Sequence, residues 1–258
     1  MMYVLFFILG ITIGSYLNVL AYRIPLEIET YKGDSFCPNC KQKIHKYDLI
    51  PVLSYIILKG KCRRCKEKIS VSYPITEIIV GLLYLFLYLR FGLSIDLVIY
   101  LVIFSVMVVI IKIDYEHKYI PDRFIVIILV FGLLYTIYHS FSDKNVIWVN
   151  LLGLALGFLI LLIIRFIGYY IYKKEVMGFG DIKLLAALGF VVGYKKIILV
   201  FLLGCLIASL VEVTLMALKV KNKESEIAFG PYLVYGGMIS IFYGHELIQA
   251  YLSLVMGG

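Results

Sequence analysis

The sequence predicts an all-α fold, a polytopic transmembrane helical bundle of about eight spans interrupted by one small polar loop domain. Three observations predict it. The 258 residues are 62% hydrophobic and 16% charged, with a mean hydropathy of +0.95, far above the roughly 45–50% apolar share of soluble domains. Apolar runs of about 17–25 residues recur from Met2 to Met256, long enough to cross a hydrocarbon core about 30 Å thick. Period-2 alternation is absent, and a helix satisfies its own backbone hydrogen bonds where water is missing.

Spans are expected near residues 2–22, 73–91, 95–113, 122–140, 146–170, 182–193, 196–218 and 231–250. The first run has no basic leader and no small-residue cleavage site, so it reads as a retained helix. The sixth is short, either a half-span or one arm of a bent hairpin with the seventh around Gly193. The chain therefore divides into a first transmembrane helix (1–23), a loop domain (24–72) and a transmembrane core (73–258), with no low-complexity tract and no evident repeat.

Charge sets the topology. Twenty of the 25 Lys and Arg residues fall in four alternate connections, against Arg90, Lys144, Lys195 and Lys196 on the other side and Arg165 within the fifth span. The positive-inside rule puts those four connections in the cytoplasm and both termini outside. The net charge of +8 is explained by this topology, with a lipid bilayer as the partner and no nucleic acid.

The loop reads Cys37-Pro-Asn-Cys40, then 21 residues, then Cys62-Arg-Arg-Cys65. Two Cys-x2-Cys turns suit one tetrahedral zinc ion, and neighbouring Lys and Arg favour the thiolates. Paired disulfides are the rival, disfavoured in a reducing cytoplasm. A four-thiolate site leaves no open position, so its role is to fold a loop too small for its own core. His45 reads as a surface residue, and Cys205, in the seventh span, as packing.

Ionisable groups are costly in hydrocarbon. Arg23, Glu77, Asp114, Arg165, Asp181 and Glu212 all fall toward the cytoplasmic ends of their spans, with Asn18 beside them. Snorkelling of Arg23 and Arg165, with Glu77 or Glu212 as partner, accounts for most of the group. Asp114 and Asp181 stand apart. Asp114 closes the third span, and Asp181 follows Gly178-Phe179-Gly180, where glycines admit a second chain close to the backbone. Two readings remain open on spacing alone: a helix cap at Asp181 with an ordinary helix-end residue at Asp114, or a catalytic pair. Peptide hydrolysis by two carboxylates requires them to share a proton, one activating water and the other polarising the carbonyl.

Taken in order, several segments resemble the bacterial type IV prepilin peptidases, aspartic membrane peptidases of the Gly-x-Gly-Asp type. They are Gly14-Ser15-Tyr16-Leu17-Asn18-Val19 with Arg23-Ile24-Pro25, both cysteine knuckles, and Tyr73-Pro74 leading to Glu77. Asp114 with Pro121-Asp122, Met177-Gly178-Phe179-Gly180-Asp181-Ile182-Lys183-Leu184, and Phe229-Gly230-Pro231 complete the set. The resemblance spans nearly the whole chain, and the ordered set is far more specific than a lone Gly-x-Gly-Asp.

It implies that Asp114 and Asp181 are catalytic and that the substrates are prepilins and pseudopilins. Cleavage would follow a glycine that ends a short basic leader, at the cytoplasmic face of the bacterial inner membrane. It also implies methylation of the new N-terminus with S-adenosylmethionine. No Gly-rich dinucleotide fingerprint marks a cofactor site; Gly60 and Lys61 are candidates, against a plain turn and a solvated lysine. Ile120, Leu49 and Ala228 stand where the family often has leucine, asparagine and proline.

Glu27, Glu29, Asp34, Glu116 and Asp122 form a candidate acidic surface for the leader. The alternatives from other classes are a proton-coupled transporter using the aspartates as a relay, or an assembly scaffold. A transporter would show mid-membrane charges and repeated halves, and neither is found.

Overall fold

The computed structural model describes residues 1–30, 35–175, 177–220 and 227–256. Among the described residues nine α-helices follow one another: α1 (Met2–Arg23), α2 (Leu53–Ile57), α3 (Ser72–Phe91), α4 (Ile95–His117), α5 (Asp122–Ser140), α6 (Asn145–Tyr172), α7 (Phe179–Val192), α8 (Tyr194–Ala217) and α9 (Gly230–Met256). All but α2 correspond to the eight expected spans. Six of them, α1, α3, α4, α5, α6 and α8, are long and apolar enough to cross a membrane. The only β-structure among the described residues is two isolated bridges.

The chain forms two compact units, Met1–Val109 and Ile110–Gly258. In the first, α1 packs along α3 by close backbone approach. A Cβ on Gly10 would lie 2.6 Å from the Val80 carbonyl oxygen, so only glycine admits this contact. Phe6 stacks on Tyr88 with centroids 4.6 Å apart, and the buried Tyr84 hydroxyl meets Ser105 Oγ at 2.8 Å. Between α1 and α3 the chain leaves the helical layer to build the cysteine loop, whose described residues include a 3-10 turn, Lys46–Leu49, and α2.

The second unit is organised around α7. Nine of its fourteen residues are buried, Ile182 and the run from Leu184 to Val191, so this helix is apolar on every side because α5, α6, α8 and α9 all pack against it. At about 21 Å it is shorter than a hydrocarbon core of about 30 Å. Its neighbours cover the backbone that lipid cannot satisfy. Gly153 of α6 and Gly189 of α7 face each other so closely that a Cβ on either would collide with the other's carbonyl oxygen. Gly193, at φ +81°, is at once the end of α7 and the start of α8, the bend expected there.

Two boundaries differ from expectation in ways that matter for the site. The α4 helix continues to His117, so Asp114 lies inside the last turn rather than after it. Lys118, at φ +56°, donates its N–H to Asp114 O at 2.9 Å and closes the helix. The α7 helix begins three residues early, at Phe179, and its N-cap is Gly178. Asp181 is thus the third residue of the helix and not its cap.

Candidate active site and metal centre

Four elements of the second unit converge on the aspartates. Asp114 enters from the last turn of α4 and is 5% exposed. Asp181 enters from the first turn of α7, close enough to feel the charge of the Asp114 carboxylate. The helix dipole at that end attracts a carboxylate. The α4–α5 connection contributes Ile120, whose side chain packs against the backbone of both Gly180 and Gly230: a Cβ added to these glycines would sit 3.3 Å from Ile120 Cβ and 3.0 Å from Ile120 Cδ1.

The start of α9 supplies the fourth element. The Gly230 N–H points at the Asp114 carboxylate, and a Cβ on Gly230 would fall 2.6 Å from Asp114 Oδ2. That oxygen is buried and makes no hydrogen bond among the described residues. An unmatched buried carboxylate oxygen is expensive and rare. Ser240 Oγ is the other buried polar side-chain atom without a partner among the described residues; Asp114 Oδ2 is the one near Asp181, and a water or a substrate group would satisfy it there.

Surrounding charges position these parts. Lys183 Nζ binds both oxygens of Asp122, at 2.7 and 2.9 Å, joining the start of α5 to that of α7. Arg165, expected to snorkel, instead donates to Met177 O at 2.7 Å and Glu175 Oε1 at 2.6 Å. It fixes the connection ahead of Gly178 and lies over the Phe179 ring, which Lys183 also approaches. Glu212 accepts the Tyr232 hydroxyl at 2.7 Å, tethering the first turn of α9 to α8. The acidic surface expected for the leader loses Asp122 to Lys183, and Asp34 lies outside the described residues.

In the first unit, the Sγ atoms of Cys37, Cys40, Cys62 and Cys65 all lie within 4.8 Å of one another, with Cys37 and Cys65 at 3.9 Å. Four thiolates at about 2.3 Å from a tetrahedral zinc are about 3.8 Å apart, so the quartet fits that ion. The two knuckles are built alike. Cys37 N–H bonds Gln42 O and Lys41 N–H bonds Cys37 O; Cys62 N–H bonds Glu67 O and Lys66 N–H bonds Cys62 O. Lys41 and Lys66 share a left-handed φ near +60°. Backbone N–H groups of Cys65 and Arg64 aimed at the Cys62 sulfur bring its thiol down to about 7, toward the ligand form.

This is a short internal repeat where none was expected. Its signal is present as Cys37-Pro38-Asn39-Cys40-Lys41-Gln42-Lys43-Ile44 against Cys62-Arg63-Arg64-Cys65-Lys66-Glu67-Lys68-Ile69, eight residues per copy and shorter than the roughly 20–50-residue units of repeat architectures. His45 is exposed and stacks on Tyr47, as expected of a surface residue. Gly60, at φ +66°, makes the turn before the second knuckle.

The profile of the bacterial peptidase A24 N-terminal domain matches residues 8–91, and that of the type IV leader peptidase family matches residues 101–213. Among similar proteins, the prepilin leader peptidase/N-methyltransferase of Bacillus subtilis (strain 168) is 31% identical over 251 residues, covering 97% of this chain and 98% of that protein. The protein of the same name from Pectobacterium carotovorum subsp. carotovorum is 31% identical over 255 residues, 91% and 90% of the two chains. That from Aeromonas salmonicida is 29% identical over 280 residues, 98% and 94%. No solved structure matches the chain.

Proposed function

The chain belongs to the type IV leader peptidase family, and from that premise we propose that it is a membrane aspartic endopeptidase with Asp114 and Asp181 as its catalytic pair. Its substrates are prepilins and pseudopilins, cut after the glycine that ends a basic leader at the cytoplasmic face of the inner membrane. The observation that carries the assignment is the orphaned, buried Oδ2 of Asp114 beside Asp181, held open by a glycine backbone.

The chemistry follows from two carboxylates sharing one proton. The ionised carboxylate takes a proton from water as the oxygen attacks the scissile carbonyl carbon, and the protonated one donates to the carbonyl oxygen. Collapse of the tetrahedral carbon expels the amine, which takes its proton from the acid formed in the first step. No covalent enzyme intermediate is needed. The shared proton belongs to the pair and not to either residue.

The loop 24–72 is proposed to hold one structural zinc through Cys37, Cys40, Cys62 and Cys65, whose sulfur spacing supports this ion. Bound there, zinc would supply folding energy and no open coordination site. The chain is further proposed to methylate the exposed N-terminus, as the names of its relatives suggest, with S-adenosylmethionine as donor.

Cleavage of a prepilin by the detergent-purified protein tests the peptidase reading. Asp114→Asn and Asp181→Asn, assayed separately, are each expected to lose at least about 10²–10⁴-fold; full cleavage by either variant refutes the pair. Transfer of label from S-adenosylmethionine to the cleaved pilin tests the methylation, and no incorporation under conditions that support cleavage removes it.

A further inference from the structure

Between its two cysteine knuckles the first unit turns apolar side chains outward. Leu49, Ile50, Leu53, Ile56 and Ile57 stand within nine consecutive residues, and their exposure runs from 41% at Leu49 to 71% at Ile57. Exposed apolar residues scattered singly need no explanation, but a contiguous set marks a surface that meets something.

The pattern is the reverse of that in a soluble loop domain. In α2, Leu53, Ile56 and Ile57 fall at i, i+3 and i+4 on one face, and that face is the exposed one. The polar groups point the other way. Buried Ser54 donates its hydroxyl to Tyr47 O at 3.0 Å, and Tyr55 donates to Ile69 O at 3.4 Å. The Val52 N–H donates to Glu77 Oε2 at 2.7 Å. Val52 stands at φ +60°, a conformation a β-branched residue adopts only when its surroundings impose it. Arg63 holds both oxygens of Asp48, at 2.7 and 2.8 Å. The outward display of the apolar face is therefore built by the bonds of the loop itself.

Depth identifies what meets that face. The α3 helix, 20 residues long, measures about 30 Å, the thickness of a hydrocarbon core. Glu77 lies about 7.5 Å along its axis from the start at Ser72, so the bond to Val52 fixes the segment beside the helix and not above it. On the other flank, the segment from Asp48 to Tyr55 shares a cleft with Ser15, Asn18 and Tyr22 of α1, and Ser15 is about 12 Å from the end of that helix at Arg23. Both helices are long and apolar enough to cross a membrane. Side chains exposed at this level therefore face the boundary between acyl chains and headgroups. From Lys41 to Lys68 there are nine Lys and Arg residues against Asp48 and Glu67, the charge complement of an anionic leaflet.

We propose that this apolar patch is an interfacial foot, by which the cysteine loop rests on the anionic phospholipid surface at that end of the spans. Such segments bury an apolar face about 5–10 Å into the boundary and leave Lys and Arg among the headgroups. The foot sets the height of the two knuckles over the membrane. It goes beyond the peptidase and methylation readings and depends on neither.

The test uses full-length protein in which Trp148, the one tryptophan of the chain, is replaced by phenylalanine and a fluorescent reporter is introduced by Ile57→Trp. The protein is reconstituted without substrate in vesicles of phosphatidylcholine and phosphatidylglycerol. The reporter is expected to be quenched by lipid brominated near the headgroup end of its acyl chains and to be shielded from aqueous iodide. Adding Leu53→Asp and Ile56→Asp is expected to lower the bromolipid quenching at least about twofold by expelling the segment. Zinc content and melting temperature should hold, because both side chains are exposed. In vesicles of phosphatidylcholine alone the quenching is expected to weaken.

A reporter open to iodide and untouched by bromolipid overturns the proposal, as does quenching that the two aspartates leave unchanged. Equal quenching in both lipid mixtures overturns the anionic surface as the partner. Shielding that arises only when a prepilin is added makes the patch a substrate-docking surface, and shielding from both quenchers that is lost on dilution into excess lipid makes it a contact between copies of the chain; either result overturns the lipid assignment. If Ile57→Trp fails to fold, Ile50→Trp, outside α2, supplies the same reading.

Discussion

Replacing Gly230 with alanine asks whether the backbone of α9 is part of the aspartate site. Gly230 has no left-handed φ, so alanine meets no conformational penalty, and helix propensity favours it by up to about 1 kcal/mol. The obstacle is local. The new methyl would sit 2.6 Å from Asp114 Oδ2 and 3.0 Å from Ile120 Cδ1, where ordinary contact begins near 3.4 Å. Relief requires a shift of the Asp114 carboxylate, or of α9, by about 0.8 Å. A displacement near 1 Å can cost about 10²-fold in rate, so kcat/KM for prepilin cleavage is expected to fall roughly 10- to 100-fold, or about 1.4–2.7 kcal/mol.

The same calculation ranks the glycines of the Gly-x-Gly-Asp motif below Gly230. A Cβ on Gly180 would meet Ile120 at 3.3 Å, a few tenths too close, and one on Gly178 would meet Asp181 Oδ2 at an ordinary 3.5 Å. Gly180→Ala is expected to cost a few-fold and Gly178→Ala least. Initial rates on a fluorogenic leader peptide, with melting temperature as the folding control, measure all three. Near wild-type cleavage by folded Gly230→Ala, or an order with Gly178→Ala worst, refutes the reasoning.

Arg165→Met is expected to reduce cleavage several-fold while Glu175→Gln changes it little. The bond to the Met177 carbonyl is the structural one, worth about 1.5–3 kcal/mol for a charged donor, whereas Glu175 is exposed and such pairs contribute about 0–1 kcal/mol; equal losses in steady-state assays would count against this division. Tyr232→Phe removes the tether between α9 and Glu212 and is expected to lower kcat with little change in KM; an unchanged kcat makes the tether irrelevant to the site. Cys37→Ser should abolish bound zinc by metal analysis, and undiminished stoichiometry removes Cys37 from the ligand set.

Helix positions were legible because hydropathy over 20 residues is a strong signal, and most bounds agree within a few residues. The errors fall at helix ends, where Asp114 and Asp181 stand: chain order tells that a carboxylate is near an end, but burial decides whether it lies inside the last turn. The role of Gly230 was not legible, since it follows from the contact of α9 with α4 across more than 100 residues of chain. Arg165 was misread for the opposite reason. Its partners Glu175 and Met177 are close in sequence, but a long cation near a helix end is satisfied equally well by headgroups, and pattern does not distinguish the two. The knuckle repeat is visible in the letters, but each copy is only eight residues long, too little for pattern alone to mark as a structural unit.

The α7 helix also serves as a depth gauge. It is fixed where Gly189 meets Gly153, eight residues from Asp181, a separation of about 12 Å along the axis and a little over two turns. One residue inserted between them would carry the carboxylate about 1.5 Å further and swing it by about 100°, away from Asp114. Substitutions there that preserve side-chain volume should be survivable, whereas any change in the number of residues should not. If Asp181 is the proposed catalytic partner of Asp114, the sequence length between it and Gly189 is itself a catalytic parameter of this chain.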